Sequence, residues 1–322
     1  SGATVTIENS GDTVSASGDT INLGGTGLSL DTTGNNDSVT GGTGDTITTQ
    51  GSGENITLGT GSSLNVASGS ATATFSGDTV TAAAGSQVTL SGSTDTISGS
   101  GATVTIENSG DTVSASGDTI NLGATELSLD TTGNNDSVTG GTGETITTQG
   151  SGENITLGTG SSLDVASGSA TATLSGDTVT AAAGSQVTLS GSTDTISGSG
   201  ATLTIENSGD TVSASGDTIS LGGAGLSVDA NGNNDRVTGG IDDTVTTQGS
   251  GENITLGTGS TLDVASGSAT ATLSSGSVAA ATGSEVTLSG GSDTVSGSGA
   301  TLTIENSGDT VSASGDTINL GG

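Results

Sequence analysis

The chain has 322 residues, 60 of them glycine and only 28% hydrophobic, with one aromatic residue, Phe75, and a net charge of −33. Such a composition excludes an ordinary compact globule with a large mixed core, and 34 acidic residues set against a single cation, Arg236, exclude nucleic acid and anionic membrane surfaces as partners and leave cations as counter-ligands. No apolar run is long enough to insert in a bilayer, and no signal-peptide core is visible.

Taken from the N-terminus, Ser1-Gly2-Ala3-Thr4-Val5-Thr6-Ile7-Glu8-Asn9 returns at Ser100 and, with Leu203 and Leu302 in place of Val5, at Ser199 and Ser298, a period of 99 residues. The sequence is therefore expected to be one continuous array over 1–322, with repeats 1–99, 100–198 and 199–297 and the start of a fourth at 298–322. Repeats one and two differ only by Gly25→Ala124, Gly27→Glu126, Asp45→Glu144, Asn65→Asp164 and Phe75→Leu174, exchanges that keep polar turns polar and apolar positions apolar.

Within repeat one, aliphatic or small apolar anchors follow one another at Val5, Val14, Ile21, Leu30, Val39, Ile47, Ile56, Leu64, Ala73, Val80, Val88 and Ile97, about eight residues apart. Around most of them the pattern alternates, as in Asn55-Ile56-Thr57-Leu58 and Gln87-Val88-Thr89-Leu90, which is the period of a strand. Between them lie Gly-, Asn-, Asp- and Ser-rich turns, and nothing recurs at helical spacing. Short strands joined by tight turns without long return loops predict an all-β parallel β-solenoid, or β-helix, with no significant helix. Three strands per coil of about 25 residues is the expected arrangement, because it places Thr20-Ile21, Thr46-Ile47, Thr72-Ala73 and Thr96-Ile97 on one face, like over like. The alternative is two strands per coil of 15 to 18 residues.

His, Cys, Lys and Tyr are all absent, which removes the usual nucleophile–base pairs, thiolate metal sites and Schiff bases, so the chain is expected not to be an enzyme. The adjacent carboxylates Asp242 and Asp243 are the nearest approach to a hydrolytic pair, without sugar-stacking aromatics to support them. Asn55-Ile56-Thr57 and its copies at 154 and 253 fit the N-glycosylation pattern.

Recurrent Gly-Asp-Thr turns carry a carboxylate either as a solvated cap on a backbone N–H or as a ligand for a hard cation. Gly34-Asn35-Asn36-Asp37-Ser38-Val39-Thr40-Gly41-Gly42 resembles one nonapeptide of the repeats-in-toxin calcium roll. That likeness covers about a tenth of each repeat, and it implies calcium as cofactor with Asp37, Asp45, Asp136, Glu144, Asp235 and Asp243 as ligands. Over its whole length the chain is similar in composition to the giant Gly/Ser/Thr/Asp-rich β-strand-repeat proteins of bacterial surfaces. This resemblance implies an extracellular or cell-surface location and a structural segment of a filament or fibre that associates with copies of itself. A monomeric adhesin stalk and an ice-binding solenoid with exposed Thr arrays are the alternatives.

Overall fold

A computed structural model describes residues 2–321 and divides the chain into two compact units, Ser1–Ser161 and Ser162–Gly322. Each unit is a parallel β-solenoid, and no helix occurs among the described residues.

In the first unit the chain alternates between two sheets. Thr4–Ile7, Thr20–Leu23, Ser38–Thr40, Ser52–Thr57, Ser70–Thr74 and Gln87–Ser91 lie side by side in one sheet, and Asp12–Val14, Ser29–Thr32, Thr46–Thr49, Ser63–Val66, Thr79–Ala82 and Thr96–Gly99 in the other. Every pairing is parallel and skips one strand of the chain. Val5 lies against Ile21, Ile21 against Val39 and Val39 against Ile56, offsets of 16, 18 and 17 residues.

The coil is therefore two-stranded and about 17 residues long, not three-stranded with 25. Thr46-Ile47 and Thr96-Ile97 sit on the opposite face from Thr20-Ile21 and Thr72-Ala73. The physical reason is the bulk of the core. Three faces would enclose a lumen that Ala73 and Ala82 cannot fill, whereas two sheets at packing distance interdigitate small aliphatic side chains without voids.

One sheet of the first unit stacks Ile21, Val39, Ile56, Ala73 and Leu90, all buried, and the other stacks Leu30, Ile47, Leu64, Val80 and Ile97. Thr and Ser alternate with them on the outside. In several places their hydroxyls pair between neighbouring coils, as Thr74 with Ser91 at 3.0 Å and Thr81 with Ser98 at 3.2 Å.

The second unit repeats the plan. Ala170, Val187, Leu203, Ile219, Val237 and Ile254 form one column of its core, and Leu163, Val179, Ile196 and Val212 another. A bulge occurs in each unit, at Ser52/Glu54 and at Ser250/Glu252, where Gly53 and Gly251 supply the extra residue in the left-handed conformation.

Tight corners join the sheets, and a single slot organises them. In most strands the residue just before the leading inward side chain adopts positive φ: Gly18 before Asp19, Gly44 before Asp45, Gly77 before Asp78 and Gly85 before Ser86. Asn36, Thr94, Glu126, Asn135, Thr193, Asn234, Asp242, Ser275 and Ser292 are the non-glycine residues with positive φ among the described residues, and all nine occupy this slot.

Candidate functional site: buried carboxylate columns

The residue after the left-handed slot turns inward, and in most coils it is acidic. Two columns result, one at each corner of the coil. In the first unit the column leading into the first sheet holds Asp19, Asp37 and Glu54, and it recurs as Asp118, Asp136 and Glu153. The second unit carries Asp217, Asp235 and Glu252 in the same arrangement. The column leading into the other sheet holds Asp45, Ser62, Asp78, Asp95 and Asp111 in the first unit, and Asp177, Asp194 and Asp210 in the second.

Each of these side chains reaches back one coil to a main-chain donor. The amide of Ala3 donates to Asp19 Oδ1 at 2.8 Å, that of Asp19 to Asp37 Oδ1 at 2.9 Å and that of Asp37 to Glu54 Oε2 at 3.1 Å. In the other column Ser62 N–H donates to Asp78 Oδ1 at 2.6 Å, Asp78 N–H to Asp95 Oδ1 at 3.0 Å and Asp95 N–H to Asp111 Oδ1 at 2.9 Å. A corner amide that no strand partner could reach is thereby satisfied, which is worth more from a carboxylate than from a neutral acceptor.

The turn carboxylates cap backbone N–H groups of the preceding coil, but they are buried rather than facing water. Asp37 and Asp95 are each 1% exposed. Room for them comes from missing side chains: an ideal Cβ on Gly34 would lie 2.6 Å from Asp37 Oδ2, and one on Gly51 would lie 2.4 Å from Glu54 Oε1 and 1.6 Å from the Gly34 carbonyl.

The six residues expected to bind calcium divide between the two columns. Asp37, Asp136 and Asp235 stand in the first, each with Oδ1 on the amide of the preceding coil and Oδ2 buried without a hydrogen-bond partner. Asp45, Glu144 and Asp243 stand in the second. Asp45 accepts from Leu28 N–H at 2.8 Å and Gly42 N–H at 2.7 Å, Glu144 from Leu127 N–H at 2.8 Å and Gly141 N–H at 3.1 Å, and Asp243 from Leu226 N–H at 2.9 Å and Gly240 N–H at 2.6 Å. Asp37 and Asp45 thus lie at different corners of their coil. Among the described residues no group of three or more metal-ligating side chains converges. The other adjacent pair, Asp242 and Asp243, is also split: Asp242 occupies the left-handed slot and Asp243 turns inward.

What the sequence reading missed is Glu54, Glu153 and Glu252. Glu54 stacks on Asp37, Glu153 on Asp136 and Glu252 on Asp235, and burial, followed by the neighbouring aspartate, pushes each glutamate up to about 7. The signal was present, because Gly53-Glu54-Asn55-Ile56 has the form of Gly18-Asp19-Thr20-Ile21. In the other column burial pushes Asp95 and Asp194 up to about 6, with the carboxylates on either side adding to the effect and the amide each accepts opposing it. Burial likewise raises Asp78, Asp111 and Asp210 above the usual carboxylate range.

The first unit also has a shallow depression of about 500 Å³ beside Phe75, lined by Leu58, Thr74, Ser91, Gly92 and Asn108. It holds no charged side chain. No protein-family model matches this chain, and no curated protein is detectably similar to it in sequence.

Proposed function

We propose that the chain is a structural repeat segment of a secreted bacterial filament or cell-surface fibre, self-associating through its solenoid coils. The observation that carries this reading is where the polar chemistry goes. Inward carboxylates are spent on main-chain amides of the neighbouring coil, as Asp78 on Ser62 and Asp95 on Asp78, and among the described residues no group of three or more metal-ligating side chains converges. Outward positions repeat Thr, Ser and Asn in coil after coil, a surface built by reiteration rather than around one ligand. Parallel ladders of this kind accept a further coil on an open edge with the same hydrogen bonds that join the existing ones.

Sedimentation and electron microscopy of the purified chain across protein concentration and ionic strength test the reading. Association should grow with concentration and with added salt, which screens the net charge of −33. Single particles at every concentration and salt level would favour the monomeric adhesin stalk instead, and thermal hysteresis lost on replacing one row of outward threonines would favour ice binding.

A further inference from the structure

Three consecutive coils of the first unit place Asp78, Asp95 and Asp111 directly above one another, 4%, 1% and 1% exposed. Each Oδ1 that the hydrogen bonds define is occupied by the amide of the coil before it. The second oxygen, Oδ2, of all three is buried and has no hydrogen-bond partner. The second unit builds the same stack from Asp177, Asp194 and Asp210, and there Asp194 Oδ2 and Asp210 Oδ2 are the buried oxygens left over.

A buried carboxylate oxygen with no donor is costly, and like charges in adjacent coils about 4.8 Å apart add to the cost. Among the described residues no cationic group faces the stack. The flanking coils present Ser62 on one side and Leu129 on the other, and the charged groups facing Asp95 are Asp78 and Asp111. A hydrogen placed on one Oδ2 removes a charge and, where the side chain turns toward the next coil, would make that oxygen a donor for its neighbour's leftover oxygen.

We propose that each stack is a proton-binding site, in which the central carboxyl, Asp95 in the first unit and Asp194 in the second, is held in the acid form and donates to a neighbouring carboxylate, so that the coils lock as the medium is acidified. The direction of the shifts at Asp95 and Asp194 agrees with this placement. The step is a simple protonation, with the hydrogen ion drawn from solvent as the medium is acidified and returned to it as the medium becomes alkaline.

The full chain tests the proposal in two ways. Asparagine is close in shape to a protonated aspartic acid: its oxygen can accept the amide of Asp78 or Asp177, and its NH2 can donate to the leftover oxygen. The double variant Asp95→Asn, Asp194→Asn should therefore melt at a higher temperature than the parent at pH 8 and at nearly the same temperature at pH 5. Carbon-13 spectra of protein labelled at aspartate carboxyls should show two resonances with midpoints near pH 6 that vanish in the variant. The spectra of the parent decide the matter even where the variant does not fold. Aspartates that all titrate below pH 5 would overturn the proposal. So would a variant that melts below the parent at pH 8, or a parent that is stabilised at pH 8 by added calcium while no aspartate titrates near 6.

Discussion

At the scale of single residues, the corner slot with positive φ sets the terms. Glycine enters that conformation without penalty, and asparagine tolerates it, but a β-branched residue is strained there. Thr94 and Thr193 occupy it at φ 64° and 66°. Replacing either with glycine relieves strain of about 1–3 kcal/mol and forfeits about 0.5–1 kcal/mol of chain entropy. Thr94→Gly and Thr193→Gly should each raise stability in denaturant unfolding by about 1 kcal/mol, whereas replacement with valine should lower it. The opposite case is Gly51, whose ideal Cβ falls 1.6 Å from the Gly34 carbonyl oxygen. Gly51→Ala has to push two coils apart, and a loss of about 3 kcal/mol in the same unfolding measurement is expected.

At the scale of the element, what matters is which strand lies on which. The strand Thr79–Ala82 pairs with Thr96–Gly99, so Thr81 faces Ser98 in the next coil. A 25-residue coil would instead bring Thr81 over Thr105, which in fact belongs to the other sheet, paired with Thr89. In-register neighbours in a parallel sheet lie within the span a disulfide can bridge, roughly 4.4–6.8 Å between Cα atoms. The variant Thr81→Cys, Ser98→Cys should close an intramolecular disulfide under mild oxidation, detected by mass spectrometry after digestion, and Thr81→Cys, Thr105→Cys should not. The aliphatic repeat alone could not separate these registers, because anchors about eight residues apart stack equally well counted in twos or in threes.

At the scale of the whole molecule, the carboxyl groups give stability a definite pH dependence. Asp95 and Asp194 are pushed up to about 6, and Glu54, Glu153 and Glu252 to about 7. Each of these groups binds its proton more tightly folded than unfolded. Between the ordinary carboxylate range and those raised values the native state holds more protons, so stability is greatest on the acid side and declines as pH climbs through 6 to 7. Mutual repulsion within a chain of net charge −33 acts in the same sense. Thermal melts should show a higher midpoint at pH 5.5 than at pH 8. At pH 8 the midpoint should rise on adding 0.5 M sodium chloride, about the concentration at which repulsion between exposed charges is largely screened.

Much of this protein was decided by its residues in order. Alternation around Val5, Ile21 and Ile56, small polar turns between them and the 99-residue echo require short strands in a reiterated parallel coil, since no other arrangement buries so few apolar groups so evenly. The Gly-Asp-Thr turns also declared that carboxylates sit at the corners. Their burial could not be read there, because a turn aspartate looks the same in sequence whether it points to water or under the next coil. Tertiary structure alone determined the two-sheet coil, as the choice rests on how much space small core residues such as Ala73 and Ala82 leave between facing sheets. It also determined that Glu54 shares a column with Asp37, and Asp95 with Asp78 and Asp111, for those neighbours are one full coil apart in the chain and meet only once the register is set.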